Sequence, residues 1–296
     1  MRRWLAATAC VAVLGATAGC TGPPAGGDGD LTNGWGPPPA PTQWRPTAGT
    51  CFDSMQQNAS LANYAPTDCR ERHLTETFFV GNLTGASAAA DANDGFADTA
   101  QTTAYAHCSR EAAKFAGADW HTGRLTVQPV LPGRVGWAGG ARWFRCDIAE
   151  LAADGGGPAG RTGSLKNVLS GPAPMRLRCY NPRVSGEDVR AMTPIDCAKA
   201  HHAEFAGLWT APDGTLAQLS DGPGLGKGCL SVIARFTGVP DDGDLRYRVG
   251  WLSLAPARGA WDLGDRAVQC YLWLADETIR GSYQGVGVKK LPIHYA

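Results

Sequence analysis

Charge is scarce and balanced in this chain of 296 residues: 18% are charged, with 27 Lys and Arg against 27 Asp and Glu. No basic stripe forms, which removes the electrostatic footprint of a nucleic-acid binder. No apolar run reaches the roughly 18 residues that mark a membrane helix. The usual enzyme signatures are missing as well. There is no G-x-S-x-G elbow, and GPGLGKGC at 222–229 has the wrong spacing for a phosphate loop. Ser164-Leu165-Lys166 suggests a Ser–Lys dyad, but the matching Ser282-Tyr283-Gln284 has no lysine. DANDG at 91–95 lacks the later Glu of a calcium loop and is expected to be a turn leading into a helix, and PDDGD at 240–244 is a turn by composition. The sequence therefore predicts no catalytic residue, no metal and no cofactor.

What is present begins at the N-terminus. Arg2 and Arg3, an apolar run from Trp4 to Leu14 and small residues up to Cys20 have the layout of a signal peptide over 1–19. Thr17-Ala18-Gly19-Cys20 resembles a bacterial lipobox, which makes Cys20 the expected lipidation site; a plain secretory signal and a secreted product are the alternative. Residues 20–48 are rich in Pro and Gly and cannot bury enough apolar surface to fold, so they are expected to be a tether. Losing Arg2 and Arg3 leaves 25 basic against 27 acidic residues, a mature charge of about −2.

Eight further cysteines fall into two sets of four, an even number in an exported chain where disulfides persist. C-x17-C-x3-H-x2-E occurs twice, through Cys51, Cys69, His73 and Glu76, then Cys179, Cys197, His201 and Glu204. The third cysteine opens C-x6-F-x-G at Cys108 and Cys229, and the fourth closes P-x-R-x2-W-x2-G-x-R-x3-C at Cys146 and Cys270. The tail of each copy carries a Gly-Ser pair, at Gly163-Ser164 and Gly281-Ser282. A repeat of roughly 120 residues has the size of a domain, so a tandem duplication over 49–170 and 171–296 is expected. DGGGPAGRTG at 154–163 lies between the copies as a candidate hinge.

Each copy alternates strand and helix signals. RHLTETFFVGNL, RWFRCDI, RAVQCYLWL and RYRVGWLSLAP read as strands. Ala104, Cys108, Ala112 and Phe115 share one helical face, as do Cys229, Val232, Ile233 and Phe236, with Gly117 and Gly238 placed to stop each helix. The fold class is α+β: two tandem disulfide-stapled domains, each a small, mainly antiparallel sheet packed with a helix.

Four cysteines per copy allow three connectivities. A helical third Cys lying over the strand of the fourth favours that bond, which leaves the first bonded to the second. Zinc is the competing use of Cys-x3-His-x2-Glu, but an oxidising compartment pairs its cysteines and no C-x2-C is present. His73 with Glu76, and His201 with Glu204, are candidates for a shared binding surface. Catalysis at these pairs requires a turn or helix to bring residues three apart together, and the plainer reading is a His bonded to its own turn. Arg142 and Arg266 join this candidate surface, with Glu76 and Glu204 as their expected carboxylate partners.

Taken together, the Cys, the Cys-x3-His-x2-Glu segment, the helical Cys and the Trp-x2-Gly-x-Arg-x3-Cys strand resemble the septum formation domain of secreted and membrane-anchored actinobacterial proteins, over about residues 49–290. The resemblance implies an extracytoplasmic module associated with division and the envelope, and it brings no established catalytic residues. The expected protein is a non-enzymatic lipoprotein. It is bound to the membrane through its N-terminal lipid and to an unknown envelope or division protein, with no nucleic acid. An envelope hydrolase or transferase with a His/Glu site between the repeats is the alternative, and an inert spacer a third.

Overall fold

The computed structural model describes residues 43–294, apart from 57, 90–97, 154–155, 172–173, 187, 221–223 and 276. The expected signal segment, Cys20, the expected tether as far as Thr42 and the DANDG segment lie outside the described residues. From Gln43 onward the chain forms one compact unit that contains two sheets.

The first sheet draws on β1 (Thr50–Phe52), β2 (Asn58–Ala59), β3 (Thr75–Asn82), β4 (Leu125–Pro132) and β5 (Trp143–Glu150). Between them run helices α1 (Ala86–Ala89), α2 (Asp98–Ala116) and α3 (Arg134–Ala138). The strand order is β1-β3-β5-β4-β2, antiparallel except where β2 meets β4. Central β5 is buried on both faces, and its residues alternate accordingly. Phe144, Cys146 and Ile148 join the core beneath α2. Arg145 and Asp147 point the other way, where Arg145 lies 4.3 Å from the Phe52 ring.

The second sheet comprises β6 (Cys179–Ser185), β7 (Asp188–Ile195), β8 (Ala203–Thr210), β9 (Gly250–Leu254) and β10 (Ala267–Trp273), in the order β7-β6-β8-β10-β9. It repeats four strands of the first, with β6, β8, β10 and β9 in the places of β1, β3, β5 and β4, while its fifth strand flanks the opposite edge. Its helices are α4 (Leu216–Ser220), α5 (Gly224–Thr237) and α6 (Arg258–Asp262). RYRVGWLSLAP is not one strand, because Leu245–Tyr247 forms a 3-10 turn and pairing begins only at Gly250. A Cβ at Gly250 would meet the Trp273 carbonyl at 2.8 Å, so glycine admits the close approach.

Four disulfides lock this plan: Cys51–Cys69, Cys108–Cys146, Cys179–Cys197 and Cys229–Cys270. Two of them bolt a helix to an inner strand, because Cys108 and Cys229 lie on the buried helical stripes above β5 and β10. Opposite the strand cysteine each sheet carries the same irregularity, a register shift that passes over Phe78 in β3 and Ala206 in β8. A bulge at the bonded cysteine bends the strand under its helix.

Of the candidate hinge at 154–163, the described residues from 156 onward do not behave as a hinge. Ala159 donates to the Glu150 carbonyl, Arg161 exchanges backbone bonds with His73, and Gly163 donates to the Cys69 carbonyl, so the segment is stitched into the first sheet. The end of the expected tether is packed too: Trp143 Nε1 donates to the Trp44 carbonyl at 3.1 Å, and the Trp44 ring meets Trp143 and Tyr64 edge-on. The halves meet along a seam where Arg124 N donates to Met175 O and Leu177 N to Thr122 O. Ala260 and Leu263 of the second half pack against the first half's core. No helix among the described residues is long and apolar enough to cross a membrane.

Candidate functional site

The six polar residues that recur in the sequence are internal braces. Glu76 is 4% exposed and Glu204 5%. Ser164 Oγ donates to Glu76 Oε1 at 2.7 Å and Leu165 N to Oε2 at 2.7 Å. Ser282 Oγ and Tyr283 N hold Glu204 in the same way. In both halves, then, the carboxylate pins the Gly-Ser loop that returns to the sheet. His73 Nδ1 lies 2.9 Å from the Glu71 carbonyl and His201 Nδ1 2.8 Å from that of Lys199, so each imidazole closes its own turn. The two His/Glu pairs share no bond with each other.

Arg142 and Arg266 do not take those glutamates as partners. Arg142 Nη1 donates to the carbonyls of Trp137 and Ala141, and Arg266 Nη1 to those of Trp261 and Asp265. Each guanidinium also stacks on its tryptophan, at 4.2 Å and 4.3 Å from the ring centroid. The physical reason is α3 and α6, short helices inside the Pro-to-Cys motif that strand periodicity did not reveal. Their terminal carbonyls need a donor, and an arginine just beyond the helix supplies it. Gly140 and Gly264 take φ of +91° and +98° where the chain leaves the helix, a region that side chains avoid. The repeated Pro, Arg, Trp, Gly and Cys thus form a self-capped turn, with Trp137 and Trp261 each only 2% exposed.

Cys179, His201 and Glu204 place their ligand atoms within 4.8 Å of one another. They do not fit a resident metal, because Cys179 is bonded to Cys197 and both Glu204 oxygens accept hydrogen bonds already. A disulfide sulfur offers no thiolate.

The polar cluster that spans the halves involves residues the sequence did not single out. Just before β4, Asp119 accepts from the His121 amide and approaches His121 Nδ1 at 2.7 Å. On the other side of the ring, His121 Nε2 lies 3.2 Å from Asp265 Oδ2, which also accepts from the Tyr105 hydroxyl at 2.7 Å. Gln269 Nε2 of β10 donates to the His121 carbonyl at 3.0 Å.

Burial alone disfavours an imidazolium at His121, but hydrogen bonds to Asp119 and Asp265 outweigh it and raise the pKa to about 9. The His121 bond holds Asp119 below its ordinary value, and burial of Asp265 is likewise overcome by His121. Burial, reinforced by Asp265, pushes the Tyr105 phenol upward. Below that pKa both ring nitrogens donate, and the protonated His121 has no lone pair to accept a proton. The arrangement is an electrostatic clasp across the seam rather than a general base.

Above the clasp lies a cleft of about 460 Å³, walled by Gln101, Thr102 and Tyr105 of α2, Gln128 of β4, Ala260 of α6 and Leu263 just after it. Tyr105 belongs to both features. One sequence signal marked this place: Asp265 stands where the first copy has Ala141, so the copies differ at a motif position that crosses the seam.

Comparison with known proteins adds one result. The family described as Septum formation matches residues 48–270, a continuous stretch through both sheets. No curated protein and no solved structure matches the chain. By that match over most of its length, the chain belongs to the septum formation family.

Proposed function

We propose that this chain is a non-enzymatic envelope lipoprotein, anchored through Cys20 and the 20–48 tether, whose two septum-formation-like halves together bind a cell-wall or division-related partner outside the cytoplasm. The observation that carries this reading is the cleft at the seam, a concave surface of about 460 Å³ built by both halves and clasped from beneath. Family membership supports a role in division. The four disulfides support an oxidising compartment. The recurring His and Glu side chains, committed to their own loops, support binding over catalysis.

The test is site-specific photo-crosslinking in dividing cells, with the photoreactive residue at the exposed Thr102 on the cleft rim or at Arg235 on α5. A discrete adduct at Thr102 and none at Arg235 is expected. No adduct at either position, or turnover of purified wall fragments by the chain itself, overturns the reading. C20S is expected to release the chain from the membrane fraction.

A further inference from the structure

The segment that joins the halves reads Met175-Arg176-Leu177-Arg178-Cys179, a strict alternation of apolar and basic residues. The chain here is extended and paired with the residues before β4, through the bridge of Gly123 to Arg176 and the bond from Leu177 N to Thr122 O. In an extended chain, residues two apart share a face. Met175 and Cys179 are buried accordingly, at 5% and 1% exposure. Arg176 and Arg178 are left on the other side.

Arg124, directly after the bridged Gly123, joins them around a depression of about 240 Å³ whose lining includes Tyr180 and Asp196. Three arginines therefore line one depression on a chain whose net charge is close to zero. Asp196 is the one carboxylate in the lining, so it offsets one of the three cations there. Glu150 is 3.5 Å from Arg124 but equally close to Arg161, and Arg178 forms no ion pair among the described residues. Arg176 is fixed by donating Nε to Gly171 O at 2.8 Å and Nη2 to Leu169 O, and Arg124 Nη1 donates to Leu151 O at 3.1 Å. Two of the three cations are thus held in place by backbone carbonyls, while the third is exposed and free to close. Arg124 and Arg176 spend part of their N–H groups on these carbonyls and on Met175 Sδ, and their remaining donors together with the free fork of Arg178 suit a compact oxyanion with several acceptor oxygens. The volume fits such a group with a short organic stem rather than a larger ligand.

We infer that this arginine pocket at the seam binds a phosphoryl group, carried either by a lipid headgroup or by a soluble or wall-linked phosphate. The site is separate from the cleft proposed above. Loss of the crosslink at Thr102 leaves this site standing, and loss of phosphate binding leaves the cleft standing.

The experiment is calorimetric titration of inorganic phosphate into the C20S chain at low salt, beside R178Q and R235Q. Saturable binding is expected in the parent and in R235Q, with at least a tenfold loss of affinity in R178Q and an unchanged melting temperature. A steep fall in affinity with added salt is expected as well. Cosedimentation with phosphatidylglycerol vesicles then identifies the source. Capture of the parent but not of R178Q assigns a lipid headgroup, while phosphate binding without vesicle capture assigns a soluble or wall-linked phosphate. Equal phosphate binding by R178Q and the parent, meaning an adventitious ion only, overturns the inference, and so does no binding at all.

Discussion

Asp265 Oδ2 lies 3.2 Å from His121 Nε2 and 2.7 Å from the Tyr105 hydroxyl, so one carboxylate of the second half completes a charge network rooted in the first. The side chains of His121 and Asp265 are only 14% and 6% exposed. Removing one partner from a pair this sheltered leaves the other charged and poorly solvated, a larger loss than any surface ion pair produces.

Asp265→Ala, which installs the residue the first copy has at Ala141, is expected to lower unfolding free energy by about 2–4 kcal/mol. Urea denaturation measures it. A loss below about 0.5 kcal/mol, the scale of an exposed pair, would show that the clasp is solvated and incidental.

The same clasp sets an alkaline limit. The folded pKa of His121, about 9, lies above its ordinary 6.5. Its contribution is therefore complete below pH 6.5 and disappears as pH rises through 9, worth on the order of 3 kcal/mol at most. Asp119 and Asp265, held below their ordinary 3.8, act on the opposite side: their contribution is present above that value and is lost on acidification. Stability measured from pH 6 to 10 should decline in the wild type and stay flatter in H121Q. Parallel curves would separate the decline from His121.

Glu76→Gln and Glu204→Gln are each expected to destabilise by about 1–3 kcal/mol, since the charge is lost and one of the two buried acceptors becomes a donor facing the serine hydroxyl. The loosening is local. Hydrogen exchange should accelerate at the Leu165 amide in the first variant and at the Tyr283 amide in the second. Uniform acceleration throughout the chain instead would show that these glutamates do not act through their loops.

The helix-to-strand disulfides span 38 and 41 residues, against 18 for the other two. Chain entropy predicts that each contributes about 0.7 kcal/mol more than a short-loop bond, out of roughly 2–4 kcal/mol per bond. Replacing Cys108 and Cys146 together by Ala should therefore cost more than replacing Cys51 and Cys69. The reverse order in melting experiments would mean that packing at each site outweighs loop length.

Much of the scaffold was legible in the residues themselves. The buried stripe through Ala104, Cys108 and Ala112 is a matter of helical period, and the strands around Cys146 and Cys270 stand out by their β-branched and aromatic content. The short helices α3 and α6 were not legible, since five residues hold too little periodicity to announce a helix. That gap is why Arg142 and Arg266 were matched to the wrong partners.

Spacing alone determined the paired sets of cysteines, the two principal helices and the alternating strand and helix order, because each depends on residues close along the chain or on a pattern written twice. Only tertiary structure could place His121 against Asp265, 144 positions away, or Arg124 beside Arg176 and Arg178. Such meetings depend on how two sheets pack. A charge reveals its importance only once packing has removed its water, and no local pattern records which charges those will be.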